Sequence, residues 1–196
     1  APGLAPGLEQ SHGTPPRSRP GRPQQPPQQL LALSELVHVD VKKIAGIPPG
    51  GGWKVHGREA RPNSKRNVAG YRFIHTAIDD RTRLAYSEIL DDEQGVTAAG
   101  FWRRARLWFA ARGIAIERCL TDNGACYRSN AFAAALGEGV KHRRTRPFRP
   151  QTNGKVERFN RTLSTEWAYA DTYFSDEARA ASYPSWLHHY NHHRSE

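Results

Sequence analysis

Apolar side chains first form a strand-like pattern after residue 34 of this chain. From Leu36 to Val41 they are nearly continuous, as in a strand that is buried on both faces. A turn sequence at 79–82 separates two further strand-like runs and therefore predicts a β-hairpin. The other predicted strands, including the two of the hairpin, span residues 71–78, 84–90, 114–121 and 140–142.

Helical spacing of apolar residues alternates with these strands and predicts helices over residues 96–112, 130–136, 153 to about 170, and 175–192. The third helix has Thr152 or Asn153 as its N-cap. Its apolar face is formed by Val156, Phe159, Leu163, Trp167 and Ala170. Glu157 falls at the edge of that face. Pro184 is expected to break or bend the last helix.

This order of strands and helices favours an α/β fold with helices on both faces of a sheet, in one domain over residues 35–196. Residues 1–34 are rich in proline, glutamine and glycine, and eight prolines fall in the first thirty positions. Such a composition buries too little surface to offset chain entropy, so we expect a disordered tail. The stretch 46–69 is predicted to be a loop that helps to hold DNA, because it carries Lys54, Arg58, Arg61, Lys65 and Arg66.

Charge narrows the choice of partner. The formal net charge is +10, from 29 Lys and Arg against 19 Asp and Glu, and the isoelectric point is near 10.1. This balance favours a polyanion as the binding partner, above all nucleic acid, although a basic protein that is merely soluble is the alternative.

No apolar run reaches about 18 residues and the chain does not start with a basic segment followed by an apolar one, so we expect neither a membrane span nor a secretory signal. Two cysteines, Cys119 and Cys126, are too few for a disulfide scaffold and fit a reducing cytoplasm.

Three acidic residues are candidates for a metal site. Asp40 and Asp122 come at or near the ends of strand-like runs, and Glu157 lies on the third predicted helix. If these elements converge, the carboxylates form an oxygen-only pocket, which suits Mg²⁺. Two such ions can hold the attacking and leaving oxygens of a phosphoryl transfer.

Basic residues surround Glu157 in the sequence. The segment from Val140 to Arg161 holds eight Lys or Arg and only this one acid. An isolated carboxylate among so many cations is understandable if both metal and DNA come there, since Lys and Arg contact phosphates. The candidate DNA contacts are Arg146, Arg149, Asn153, Lys155, Arg158 and Arg161.

The acids in their local contexts resemble the catalytic core of the DDE transposases and retroviral-type integrases, and most closely that of bacterial insertion-sequence transposases. The resemblance extends over roughly residues 35–194 and is most specific from Arg146 to Leu163. The segments that carry it are Val37 to Lys43, Ile78 to Arg83, Leu120 to Gly124, Arg146 to Leu163 and Tyr190 to Arg194.

This resemblance implies a ribonuclease H-like fold with a mixed five-stranded sheet, a topology that the pattern alone does not select. It implies that Asp40, Asp122 and Glu157 are catalytic and bind two Mg²⁺ or Mn²⁺ ions, with Asp40 bridging both. The implied reaction is metal-dependent cleavage of DNA strands followed by strand transfer between element ends and target DNA. It also implies a homo-oligomer assembled on DNA and a cytoplasmic, nucleoid-associated location in a bacterium.

Each feature also has an ordinary structural explanation. Asp40 can be a solvated loop acid, Asp122 begins a good turn sequence, and Glu157 with Arg161 has the spacing of a surface ion pair. The basic segment can be a solvated face. Other acids at turn and loop positions are Asp79, Asp80, Asp91 and Asp92. A further cluster with metal-ligand spacing, but without an accompanying acid or cysteine, is His188, His189, His192 and His193.

Two other functions stay open at this stage. One is a catalytically inactive, DNA-binding remnant of a transposase, and the other is a ribonuclease H-like nuclease that does not transpose. The resembling transposases carry an N-terminal helix-turn-helix, for which residues 1–34 show no helical periodicity, and they continue beyond Arg194. We therefore expect an excerpt, a truncated copy or a decayed one.

Overall fold

The computed structural model describes residues 3, 32–34, 36–57, 69–145 and 153–193, with the backbone alone at 32–34. Its strands are β1 (Ala32–Ser34), β2 (Val37–Ala45), β3 (Tyr71–Asp79), β4 (Ala85–Leu90), β5 (Ile114–Ile116), β6 (Arg118–Thr121) and β7 (Lys141–Arg144). Five of them form one sheet in the order β4-β3-β2-β6-β7. The pairs β2–β3 and β3–β4 are antiparallel, whereas β2–β6 and β6–β7 are parallel. The expected mixed five-stranded sheet is confirmed, and so is the hairpin.

Strand β2 is longer than its apolar run predicts. It continues through Lys42 and Lys43 to Ala45 and pairs with β3 along its whole length. Lys43 does not interrupt the strand because its ammonium group lies 4.2 Å from the ring centre of Tyr71 on the paired strand, a cation–π contact. Ile44 then returns to the core.

The predicted strand 114–121 is two strands, separated at Glu117. Of these, β6 joins the main sheet, whereas β5 pairs in parallel with β1 in a separate two-stranded sheet. Residues 32–34, which we assigned to the tail, are therefore in a strand. Apart from Gly3, residues 1–31 lie outside the described part of the chain, so the disordered tail stays a prediction.

The helices are α1 (Trp53–His56), α2 (Gly95–Ala110), α3 (Asn130–Ala135), α4 (Gly154–Leu163) and α5 (Asp176–His192). They cover both faces of the sheet, as expected. On one face, α2 and α3 pack on the odd-numbered side chains Val37 and Val39 of β2. On the other, α4 and α5 pack on Ile44 of β2 and on Ile74 and Ile78 of β3. The side chains of β2 alternate between the faces, so Asp40 lies on the α4 side.

Helix α4 ends in a π-helical turn, Ser164–Ala168, where the backbone N–H of Tyr169 donates to the carbonyl of Ser164. This turn shifts the helical register, so Ala168 is buried and Ala170, which we placed on the apolar face, is exposed. The other four residues of the predicted face are buried as expected.

Of the break or bend expected at Pro184, the break does not occur, because α5 is continuous through this residue. A proline leaves the carbonyl four residues earlier without its donor. Because Ala180 and Pro184 are both exposed, water can donate a hydrogen bond to that carbonyl.

Among the described residues, no helix is long and apolar enough to cross a membrane, and both cysteines are buried free thiols.

Candidate active site

The parallel pairing of β2 with β6 brings Asp40 and Asp122 together. His38 is the register partner of Leu120, and two residues further along both strands come Asp40 and Asp122. Both carboxylates line one cleft of about 270 Å³. The other lining residues are Val41, Glu93, Gly124, Ala125, Cys126 and Tyr127.

The turn after β6 fixes the direction of the Asp122 side chain. The backbone N–H of Gly124 donates to Asp122 Oδ1 at 2.8 Å. A Cβ at position 124 would lie only 2.9 Å from the same oxygen, so a larger residue there would displace the Asp122 carboxylate. The turn composition that we noted at 122–124 therefore serves to orient a carboxylate of the cleft.

Helix α4 contacts this site through Asn160. Its side-chain Nδ2 donates to Asp40 Oδ2 at 2.7 Å, whereas its buried Oδ1 has no hydrogen-bond partner among the described residues. Glu157 precedes Asn160 by almost one helical turn, on the same helix. Glu157 is exposed and does not line the cleft, but its charge still acts on Asp40.

The predicted triad is therefore gathered only in part. Two carboxylates share the cleft and the third lies nearby on α4, facing water, which the mutual repulsion of like charges favours. Within the described ranges, no three His, Cys, Asp or Glu side chains form a group that could hold a metal ion. The roles of Asp40, Asp122 and Glu157 stay predictions.

The environment of Asp40 opposes its negative charge. Burial, followed by the nearby charge of Asp122, raises the pKa of Asp40 from 3.8 to about 6, and Glu157 contributes in the same direction. The hydrogen bonds from the Val41 backbone and from Asn160 oppose this shift. A carboxylate with this environment is stabilised by any cation that approaches it.

A buried histidine ties the start of α4 to β2. His38 Nδ1 is 3.0 Å from Asn153 Oδ1, and His38 Nε2 is 3.0 Å from Asp80 Oδ1. Asn153 is the N-cap residue of α4, but its side chain makes no capping hydrogen bond and is only 4% exposed. The side chain of Asn153 thus contacts β2 in this structure, and a contact of Asn153 with DNA stays a prediction.

The predicted DNA-contacting residues differ in how far their side chains are exposed to solvent. Arg158 and Arg161 are exposed on α4, and Lys155 is half-buried with its Nζ 3.9 Å from Asp80 Oδ1. Arg146 and Arg149 lie outside the described residues. Of the basic loop residues, Lys54 is described, and it donates to the backbone carbonyls of Tyr169, Ala170 and Asp171 rather than facing solvent freely.

The rival acids have structural roles or lie on the surface. Asp79 is buried and accepts hydrogen bonds from the backbone and hydroxyl of Thr82, which closes the hairpin. Asp80 contacts His38, and Asp92 accepts from the backbone of Gln94. Asp91 is exposed. The histidine rings near the end of α5 pack against one another, with centroids 4.6 to 5.6 Å apart.

Four residues at or beside this site were missed in the sequence: His38, Glu93, Tyr127 and Asn160. For two of them a signal was present. His38 precedes Asp40 by two and so shares its face of the strand, and Asn160 follows Glu157 by three on one helix. Glu93 and Tyr127 enter the cleft through loop geometry, for which neither periodicity nor spacing gives a signal.

Comparison with known sequences finds similarity to one protein family and to one polyprotein. Residues 138–195, less than a third of the chain, match the family described as "Integrase core domain"; this segment contains Glu157 but neither Asp40 nor Asp122. The retrovirus-related Pol polyprotein from transposon TNT 1-94 of Nicotiana tabacum is 32% identical over 103 residues, which are 52% of this chain and 8% of that protein. The chain thus spans less than a tenth of the length of this curated relative.

Two solved structures share the fold. A chain of the intasome of simian T-cell lymphotropic virus aligns with a TM-score of 0.59 at 19% identity, over 85% of this chain and 51% of that one. The catalytic core domain of BIV integrase aligns with a TM-score of 0.51 at 17% identity, over 83% of this chain and 87% of that one. These likenesses confirm the ribonuclease H-like fold. The family match supports an integrase-like core.

Proposed function

We propose that this chain is the catalytic core of a DNA transposase of the bacterial insertion-sequence type, with residues 35–196 as its catalytic domain. The observation that carries the proposal is the pair Asp40 and Asp122 in one cleft, with Asn160 of the Glu157-bearing helix bonded to Asp40. The integrase core match and the shared fold support it. Action in the cytoplasm on nucleoid DNA, as a homo-oligomer, is part of the same proposal.

The side chains at the cleft fit a hard divalent cation such as Mg²⁺ or Mn²⁺. Carboxylate and amide oxygens are its preferred ligands, and the cleft offers Asp40 and Asp122 with the unpaired Oδ1 of Asn160 close by. The raised pKa of Asp40 also favours a cation site, because a bound cation would stabilise a carboxylate whose negative charge the fold disfavours. Glu157 would supply a further carboxylate ligand for the cation when its side chain turns from water toward Asp40.

In the proposed reaction, water hydrolyses one DNA phosphodiester and leaves a strand with a free 3′ hydroxyl. That hydroxyl then attacks a phosphodiester of the target DNA, so that one P–O bond forms as another breaks. Two ions held at this cleft would supply Lewis-acid stabilisation of the attacking and leaving oxygens. Asp40 and Asp122 would hold the metal ions in the cleft, and Asn160 orients the Asp40 carboxylate. The exposed Arg side chains of α4 bind the DNA backbone.

A cleavage and strand-transfer assay tests this function. The purified protein is incubated with Mg²⁺ or Mn²⁺ and labelled DNA that carries candidate element ends. We expect nicked strands with 3′ hydroxyls and, with target DNA present, joined products, none of which form in EDTA. DNA binding without any metal-dependent cleavage would contradict the proposal and favour an inactive DNA-binding remnant.

The basic face of α4 yields a separate prediction about DNA binding. If Arg158 and Arg161 each contact a phosphate, replacing either by alanine weakens binding to all sequences alike and lowers the slope of log affinity against log salt by about 1. Fluorescence anisotropy over a series of salt concentrations measures this slope. Arg103→Ala on the exposed side of α2, across the sheet, is the matched control and is expected to leave the slope unchanged. Equal slopes for all four proteins would remove α4 from the DNA interface.

A further inference from the structure

Tyr127 carries a polar group that the fold buries without pairing. The residue lies in the 3₁₀ turn Ala125–Arg128, its side chain is 3% exposed, and its ring packs edge to face on Phe132 at 5.1 Å. Within the described part of the chain, its hydroxyl has no hydrogen-bond partner. A buried, unpaired hydroxyl costs stability and is rare in folded proteins, so its retention points to a use outside packing.

The position of this hydroxyl relates it to the carboxylates. Tyr127 lines the same cleft as Asp40 and Asp122. Burial, and then the negative charge of Asp40, raise the pKa of Tyr127 well above its usual value, so the phenol keeps its hydrogen. A phenol O–H in such a place needs an acceptor, and the carboxylates of this cleft have lone pairs to offer.

We propose that Tyr127 is a positioning residue: its O–H, which has no hydrogen-bond partner among the described residues, donates to the Asp40–Asp122 carboxylate pair when that pair holds a divalent cation, and so fixes the orientation of the carboxylates. The inference rests on the proposed function. Carboxylates that hold metals are themselves usually hydrogen-bonded by neighbouring groups, and loss of such a group typically costs 10–100-fold in metal affinity. Asn160 already donates to one oxygen of Asp40, and Tyr127 packs on the opposite face of the sheet, so its hydroxyl donates from that side once the metal is bound.

The test compares two substitutions that each remove one buried hydroxyl. Tyr183 is as buried as Tyr127, but its hydroxyl donates to Ser87 Oγ at 2.6 Å, in the core on the other face of the sheet. Urea unfolding in EDTA is measured for wild type, Tyr127→Phe and Tyr183→Phe. We expect the midpoint to be unchanged or higher for Tyr127→Phe, which loses no hydrogen bond, and lower for Tyr183→Phe, which loses one.

The same unfolding experiment is then repeated with increasing Mn²⁺. We expect wild type and Tyr183→Phe to be stabilised with the same half-saturating concentration, and Tyr127→Phe to need about tenfold more metal. If Tyr127→Phe lowers the metal-free midpoint as Tyr183→Phe does, or keeps the metal affinity of wild type, the positioning role is wrong while the proposed function stands. A wild-type protein that Mn²⁺ does not stabilise contradicts the proposed function itself, and the inference with it.

Discussion

Replacing Asp40 by asparagine is expected to lower metal-dependent DNA cleavage by at least about 10²–10³-fold, the usual cost of losing one charge-stabilising group at a reaction centre. The shape of the side chain is conserved, and asparagine Oδ1 can still accept the hydrogen bond from Asn160 Nδ2. What disappears is the negative charge that would bind a cation. The measurement is the initial cleavage rate at saturating Mg²⁺, with Asp91→Asn, an exposed loop acid, as the control that keeps its activity.

The same substitution is expected to stabilise the protein in EDTA. Because the pKa of Asp40 is raised to about 6, the folded state disfavours the charged form. The penalty is complete above about pH 6, shrinks as the pH falls from about 6 to 3.8, and is absent below the ordinary value of 3.8. Asp40→Asn should therefore be more stable than wild type by about 1–2 kcal/mol at pH 7 to 8, allowing for partial exposure, and equal to it near pH 4. A variant that is less stable at neutral pH, or that still cleaves DNA, would contradict this account of Asp40.

Phe159→Ala is expected to give the largest loss of stability, about 3–5 kcal/mol, because it opens a cavity under the helix that carries Glu157 and Asn160. Phe159 is fully buried and makes edge-to-face contacts with Tyr190 at 4.8 Å and Trp186 at 5.6 Å. These contacts dock α4 against α5. Urea unfolding measures the effect.

Phe174→Ala is the matched control for this prediction, since Phe174 is 62% exposed and its loss should change stability by less than about 0.5 kcal/mol. At temperatures where Phe159→Ala is still folded, we also expect slower cleavage, because α4 no longer holds Asn160 firmly on Asp40. A stability cost below about 1 kcal/mol would mean that Phe159 does not dock the helix.

Strong periodicity explains which parts of the fold could be predicted. The strand-like runs 71–78 and 84–90 are joined by a turn sequence, and the stripes of α2 and of Val156 to Trp167 each allow one buried helix face, so these elements follow directly. The separation of β5 from β6 could not be predicted, because residues 114–121 read as one apolar run and the partner of β5 is β1, from a segment with no pattern of its own. The π-helical turn after Leu163 likewise depends on tertiary packing.

The candidate site, like the fold, could be predicted from the sequence only in part. The sequence placed Asp40 and Asp122 at strand ends, but only Asp122 follows the end of its strand, since β2 continues to Ala45. The two acids lie together because the parallel pairing of β2 with β6 stops at His38 and Leu120, two residues before each of them. The partners that hold them could not be predicted so directly. Asn153 was assigned to DNA because it stands among basic residues, yet its side chain contacts His38, 115 positions away in the sequence. Contacts across such distances follow from the packed fold rather than from local pattern.

The most direct test of the central claim is anomalous diffraction from crystals of the protein grown with Mn²⁺. We expect manganese peaks in the cleft, at about 2.0–2.5 Å from carboxylate oxygens of Asp40 and Asp122, with the side chain of Glu157 turned in from water to join them. Manganese that binds elsewhere, or a cleft in which Asp40 and Asp122 hold none while DNA cleavage proceeds, would contradict the claim that these carboxylates form the catalytic metal site.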